Sequence, residues 1–307
     1  MTPHNYLRQA IPAIKEIIHR LDATPGFISK SLELLEEAQR AVKFVLPDNG
    51  VIFDNQLRGL PDILKLPYNE IVIEYFCSNS GGRAVDNFGE NQTIPVRKRI
   101  VYAQQEGDNI VVASIVCFES PVGDRWQVLP YAAELIPRSK VSDSEILNNA
   151  ELNDKEYLKK NPETHKVDKV VGTYYDIGGM AMKSHGDDWQ EHAYHNMGDE
   201  CQAVLSLIEA LSCSNVKPTP LPVRQKMNKG AAKRGALPFD EYHILTLDGH
   251  SKSSGEGKTF LDRRSPREHL RRGHIRRLEN KRIWINSMVV NAGNHGKIHK
   301  SYELEAA

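Results

Sequence analysis

The chain has 307 residues, which is enough for one large domain or two modest ones. Lys and Arg together number 40, as do Asp and Glu, so the formal net charge is zero. Hydrophobic residues make up 40% and charged residues 26%, which is typical of a globular protein and excludes a disordered or fibrous chain. No apolar run approaches the roughly 20 residues of a membrane-spanning helix, so we expect no membrane partner.

The N-terminus and the cysteines favour a cytoplasmic protein. The first residues lack the basic start and the apolar segment of a signal peptide. The four cysteines, Cys77, Cys117, Cys201 and Cys213, are far apart in the sequence and form no C-x-x-C pair. We therefore expect reduced, mostly buried thiols rather than a disulfide framework.

The zero net charge hides an uneven distribution along the chain. Residues 217–307 contain 19 Lys and Arg against 9 Asp and Glu, whereas residues 1–216 contain 21 against 31. This difference suggests an acidic body (1–216) followed by a basic module (217–307). Clustered cations attract phosphates, so a polyanionic partner is one interpretation. The other is that the basic module pairs with the acidic body of the same chain.

The first 46 residues predict a helical hairpin. Apolar residues recur at helical spacing in two runs, which Thr24-Pro25-Gly26 separates. The second run places Val42 and Val45 on the same stripe as earlier apolar residues, so the helix is expected to extend to the turn residues Pro47–Gly50. We expect these stripes to pack in the core.

Residues 66–135 predict a β-rich region. Its runs of β-branched and aromatic residues favour an antiparallel sheet of three or four strands, and Glu106–Asn109 is typical of a hairpin turn. The predicted strands are Glu70–Cys77, Arg99–Gln104, Asn109–Phe118 and Arg125–Ala132.

Residues 142–216 predict a mixed region. We expect exposed helices over Ser142–Asn161, a strand over Val170–Ile177 and a buried helix over Cys201–Ser212. Residues 217–240 are rich in Pro and Lys and are expected to form a connection, which leads to a strand over Tyr242–Leu247.

The chain is predicted to end in a basic β-hairpin module. Two strand-like runs, His269–Leu278 and Arg282–Asn291, are joined by the turn residues Glu279-Asn280-Lys281. Because no alternation of strands and helices of the βαβ type is visible, the predicted fold class is α+β.

Two motifs resemble small-ligand sites, but each lacks a residue that such a site requires. Ser254–Thr259 resembles a phosphate-binding loop, but such a loop needs a glycine five positions before Gly257, and that position is Lys252. His192 and His195 could share a helix face, but zinc sites usually show two paired ligand spacings, and here only one pair exists. We therefore expect a Gly- and Ser-rich loop, a polar helix face, no metal and no cofactor.

The strongest local signal is basic, with seven arginines in the fifteen residues from 263 to 277. Arginine suits forked contacts with phosphate, and a nearby tryptophan could stack on a base. The candidate nucleic-acid or partner-binding residues are Arg263, Arg264, Arg267, Arg271, Arg272, His274, Arg276, Arg277 and Trp284.

A catalytic alternative uses two histidines of the same segment. His269 and His274 could serve as general base and general acid of a ribonuclease, because a histidine pair beside cations can perform phosphodiester chemistry. Nothing in the sequence fixes the second proton donor. The favoured interpretation is therefore a binding protein rather than an enzyme.

Two runs in this segment have a specific spacing, with an Arg-Arg-Gly-His core. They are Arg264-x-Pro266-x-x-His269-x-Arg271-Arg272-Gly273-His274 and Arg282-x-Trp284-x-Asn286-x-x-Val289-Val290-Asn291. They resemble the C-terminal signature of a protein family carried by phages and mobile elements, which includes a type V anti-CRISPR protein. Further similarity lies in Leu66–Glu74, Leu207–Val216, Asn228–Leu245 and Gly296–Tyr302.

The resemblance implies a counter-defence or host-takeover protein in the cytoplasm of a bacterial host cell. The anti-CRISPR member is understood to suppress production of its target effector nuclease by recognising the nascent polypeptide and triggering loss of the message. The implied partners are thus a host defence protein, in nascent form, and RNA or the ribosome. A structural or accessory protein of a phage remains an alternative.

Overall fold

The computed structural model describes residues 4–52, 64–78, 83–86, 92–120, 123–137, 140, 170–223, 225–247, 269–271, 274–278, 281–285 and 288–290. The predicted helices of Ser142–Asn161 and the Gly- and Ser-rich loop around Ser254–Thr259 lie outside these residues.

The chain has the predicted α+β fold, built on one large mixed sheet. Eight strands follow the order β7-β6-β5-β4-β2-β1-β9-β8, and β3 pairs with β4 beside this path. The strands are β1 (Val42–Val45), β2 (Glu70–Phe76), β3 (Arg83–Asp86), β4 (Gln92–Glu106), β5 (Asn109–Ser120), β6 (Gly123–Pro137), β7 (Val170–Asp176), β8 (Val216–Leu221) and β9 (Tyr242–Leu247).

Helices cover both faces of this sheet. They are α1 (Tyr6–Ile17), α2 (Pro25–Arg40), α3 (Met180–His185), α4 (Trp189–Leu211) and α5 (Gln225–Lys233). Apolar residues of α1 and α2 pack with Val72, Ile100 and Trp126 on one face of the sheet. Those of α4 pack with Phe44 and Ile73 on the other. Burial on both faces explains why the central strands are almost continuously apolar.

The sheet is larger than predicted and is not purely antiparallel. The pairs from β2 through β4, β5 and β6 to β7 are antiparallel, as predicted for this region. However, β1 lies parallel to both β2 and β9. The partners β2 and β9 lie far from β1 in the sequence. The spacing of apolar residues within one segment therefore does not reveal this pairing.

The prediction that Val42 and Val45 belong to the second helix is wrong. Helix α2 ends at Arg40, because Ala41 adopts an extended conformation (φ −62°, ψ 154°). The ammonium group of Lys43 then donates to the carbonyl oxygens of Gln39 (2.9 Å) and Ala41 (3.0 Å). These contacts satisfy carbonyl groups that a helix end leaves unpaired, and they allow the next residues to join the sheet.

Two more boundaries differ from the predictions. The helix predicted over Cys201–Ser212 begins twelve residues earlier, at Trp189. Residues 217–240, predicted as a connection, contain β8 and α5. Strand β8 includes Pro218 and Pro220, which lack a backbone donor and are tolerated at the edge of a sheet, where β8 lies.

Three of the four cysteines are buried and Cys201 is half-buried, which agrees with the expectation of mostly buried thiols. Among the described helices, none combines the length and the apolar character needed to cross a membrane.

Candidate nucleic-acid interface

Two short strands carry the described part of the arginine-rich segment, and two further strands pair with them. They are β10 (His269–Arg271), β11 (His274–Leu278), β12 (Lys281–Ile285) and β13 (Met288–Val290), which together are called the basic hairpin below. Strand β10 pairs with β13, and β11 pairs with β12, both antiparallel. One register runs through both pairs, from His269 opposite Val290 to Leu278 opposite Lys281. The described residues of the two predicted strands are therefore paired in the register of one antiparallel hairpin.

The basic hairpin is attached to the body through the edge of β12. The side-chain amide of Asn215 donates to the carbonyl oxygen of Trp284 (2.8 Å) and accepts from its backbone N–H (2.8 Å). The backbone N–H and the hydroxyl of Ser214 both donate to the carbonyl oxygen of Arg282, at 2.9 and 3.0 Å. These contacts complete backbone hydrogen bonds that an isolated hairpin would leave to water.

The two faces of the β11–β12 pair differ in their surroundings. Ile275 lies opposite Trp284, and the Trp284 ring is half-buried against the same core as α4. Arg276 lies opposite Ile283, on the other face, because side chains alternate along a strand. Arg276 and Lys281 are exposed. One face of the hairpin thus anchors it, while the other presents cations to solvent.

The predicted binding residues fall into three groups. Arg276 is exposed, and Trp284 packs against the body, so its ring helps to attach the hairpin. Arg271, His274 and Arg277 are placed only by their strand pairing. Arg263, Arg264, Arg267 and Arg272 lie outside the described residues.

The two candidate catalytic histidines belong to different strand pairs. His269 pairs with Val290 in β10–β13, and His274 pairs with Ile285 in β11–β12. The ribonuclease hypothesis therefore remains a prediction to be tested by activity.

The two histidines discussed as a metal pair both lie on α4, three residues apart, but each ring contacts a different neighbour. His192 stacks on His185 of α3, with ring centroids 4.2 Å apart. His195 instead lies 3.9 Å from the carboxylate of Glu191. Burial and the neighbouring His192 lower the pKa of His185. Within the described part of the chain, no three His, Cys, Asp or Glu side chains gather as a metal site would require.

The body contains a buried carboxylate that the sequence did not single out. Glu74 of β2 accepts hydrogen bonds from the backbone N–H groups of Tyr6 (3.0 Å) and Leu7 (2.8 Å) and from the hydroxyl of Tyr242 (2.9 Å). Asn5, which precedes α1, provides no side-chain cap. Glu74 therefore caps α1 from the sheet, where a negative charge suits the positive end of the helix dipole.

A second buried pair joins α4 to the sheet. The guanidinium of Arg99 contacts the carboxylate of Glu200, which also accepts from the hydroxyl of Ser114 at 3.0 Å. Asp199 lies 3.8 Å from Arg99 on the exposed side of the pair. Burial raises the pKa of Glu200, and the charge of Arg99 opposes that shift. This pair is structural, because both side chains are enclosed by the core.

The residues that fix the interface were not predicted. Asn215 follows the buried helix α4 and is a common turn residue, so nothing in the sequence signals that its amide binds a strand almost seventy residues away. Comparisons of the chain with family models, with curated proteins and with solved structures gave no match.

Proposed function

We propose that this chain is a non-enzymatic RNA-binding protein whose basic module contacts RNA phosphates. The observation that carries the proposal is the orientation of the basic hairpin. One side is fixed to the body by Asn215 and Trp284, while Arg276 and Lys281 face solvent. A cation held on a fixed strand needs less ordering on binding than one on an unattached segment.

The composition of the module supports the same proposal. Its 19 Lys and Arg against 9 Asp and Glu give a strongly positive segment. Such a field attracts RNA and speeds its association. The acidic body has the same sign of charge as RNA, so the phosphate contacts are expected on the basic module.

We further propose a counter-defence role in a bacterial cell, in which RNA binding serves to block production of a host defence nuclease. Only the resemblance of the Arg-Arg-Gly-His segment to the phage-borne family supports this step. The acidic body is the proposed surface for the polypeptide partner, including a nascent chain on the ribosome.

The phosphate contacts are tested by measuring RNA affinity over a series of salt concentrations. Charge reversal of Arg276 and Lys281, two cations that face solvent, should weaken binding and flatten its salt dependence, because each lost phosphate contact reduces the slope by about one. Lys30→Glu is the control, since Lys30 is an exposed cation on α2, on the other face of the sheet. Unchanged RNA affinity together with a lower melting temperature would instead support pairing between the basic module and the acidic body.

The same binding reactions test the enzymatic alternative. We expect the RNA to remain intact over hours of incubation with the wild-type protein and with His274→Ala. If the wild-type protein cleaves RNA, and His274→Ala binds it without cleavage, the chain is a ribonuclease.

The cellular partner is tested by affinity purification from a bacterial host, with and without ribonuclease treatment. A polypeptide that remains bound after treatment would support direct recognition of a defence protein. Enrichment that disappears on treatment would support binding through RNA or the ribosome. No enrichment in either sample would contradict the counter-defence proposal.

A further inference from the structure

Three aromatic rings gather on the sheet at the junction of β1, β9 and the turn before β2. The ring of His243 lies 5.5 Å from that of Phe44 and 6.2 Å from that of Tyr68, centroid to centroid. The rings of Phe44 and Tyr68 are 6.3 Å apart. The three rings therefore form a compact triangle, called the aromatic cluster below.

The backbone holds this cluster in place. Phe44 and His243 are opposite each other in the parallel pair β1–β9, so their relative position is set by the sheet. The Nδ1 atom of His243 lies 3.4 Å from the carbonyl oxygen of Lys43. Phe44 is completely buried and contacts both of the other rings.

Two of the three rings reach solvent. The side chain of Tyr68 is 40% exposed, and His243 is half-buried. An exposed aromatic ring on rigid backbone costs little conformational entropy when it binds, because few torsions remain to be fixed. Such rings stack on nucleobases with little dependence on sequence, since every base has an aromatic face.

The aromatic cluster lies on the same face of the sheet as the anchor of the basic hairpin. Phe44 and Trp284 contact one continuous core. Leu247, at the end of β9, pairs with Val216, which directly follows Asn215. His243 lies four residues before Leu247 on β9, so the aromatic cluster and the residue that attaches the hairpin belong to neighbouring strands of the same sheet edge.

We propose that Tyr68 and His243 form a stacking site for unpaired bases of single-stranded RNA, whose phosphates contact the basic hairpin. This inference rests on the proposed function and specifies its ligand. Bases in a duplex are stacked on one another and do not offer their faces to a protein. The site therefore predicts a preference for single-stranded over double-stranded RNA.

The test compares a fluorescent single-stranded 12-nucleotide RNA with the duplex of the same sequence. We expect Tyr68→Leu, which keeps an apolar side chain but removes the ring, to weaken binding of the single strand about tenfold. Tyr68→Phe should bind like the wild-type protein. The slope of affinity against salt should not change in Tyr68→Leu, because no phosphate contact is lost. His243→Leu should also weaken binding of the single strand without changing the salt slope.

Tyr175→Leu is the matched control, because Tyr175 is similarly exposed, at 49%, but lies on β7 at the opposite end of the sheet. Circular dichroism establishes that each variant is folded. Tyr68→Leu could bind the single strand as the wild-type protein does, while the variant with reversed charges on the basic hairpin does not bind it. The stacking site would then be wrong, and the proposal of RNA binding through the basic module would be supported. Equal affinity of the wild-type protein for single strand and duplex also overturns the stacking site. If the wild-type protein binds neither RNA, both proposals fail.

Discussion

The side-chain amide of Asn215 binds both backbone polar groups of Trp284, with each hydrogen bond 2.8 Å long. Asn215 thus takes the place of a neighbouring strand at the edge of β12. The indole of Trp284 packs against the core beneath, so one residue joins the basic hairpin to the body through both its backbone and its side chain.

Replacing Asn215 with Ala is expected to loosen the basic hairpin from the body. The change removes two hydrogen bonds and leaves two backbone groups of Trp284 without their partner, which should cost about 1–3 kcal/mol. Hydrogen exchange should become faster at residues 281–285, with little change in β4 and β5. Asn215→Asp keeps the acceptor but sets a carboxylate oxygen against the carbonyl oxygen of Trp284, so it should also loosen the hairpin. Unchanged exchange in Asn215→Ala would show that the Trp284 ring and the contacts of Ser214 with Arg282 are sufficient to hold the hairpin.

The elements that the sequence predicted well are those with a local signal. Strands such as β5 and β2 are marked by runs of β-branched residues, and the turn at Glu106–Asn109 has its own residue preference. These signals depend on residues close together in the chain, so they could be interpreted without tertiary contacts.

The elements that were missed depend on distant partners. Val42 and Val45 fit a helical stripe, yet Ile71 and Glu74 offer a strand to pair with, and tertiary pairing outweighs the weak local preference. Likewise, the sequence identified a basic C-terminal segment but could not show which of its sides faces the body. That depends on Asn215 and on the core beneath Trp284.

Glu74 should make the stability of the fold depend on pH. Burial raises its pKa from 4.5 to about 7, and the hydrogen bonds from Leu7, Tyr6 and Tyr242 partly oppose this shift. At a pH between these two pKa values, Glu74 retains its proton in the folded protein but has lost it in the unfolded chain. The contribution of Glu74 is therefore fully present below about pH 4.5 and is lost as the pH rises to about 7.

We expect the free energy of unfolding to fall by about 3 kcal/mol through this group as the pH rises from 4.5 to 7. Glu74→Gln should remove this part of the pH dependence, as measured by urea denaturation at several pH values. The variant should also be less stable, because its amide cannot accept from Tyr6 and Leu7 with two oxygens.

Tyr242→Phe provides a second measurement on the same carboxylate. It removes a donor that favours the charged form, so the loss of stability should occur at a higher pH than in the wild-type protein. Identical pH profiles for the wild-type protein and Glu74→Gln would contradict the assignment of this transition to Glu74.

The pair between Arg99 and Glu200 should be costly to break and much less costly to replace as a whole. Both side chains are buried, with Arg99 only 3% exposed. Arg99→Met leaves the Glu200 carboxylate buried without its cation, which should destabilise the protein by about 3–5 kcal/mol. The double variant Arg99→Met with Glu200→Leu should be more stable than Arg99→Met alone, because no charge then remains in the core.

Urea denaturation measures the stability of both variants. Lys140→Met is the control, since Lys140 forms an exposed pair with Asp108 and its loss should have no measurable effect. Glu200→Leu alone completes the cycle: if the double variant loses the sum of the losses in Arg99→Met and Glu200→Leu, the two charges do not interact and the prediction is wrong.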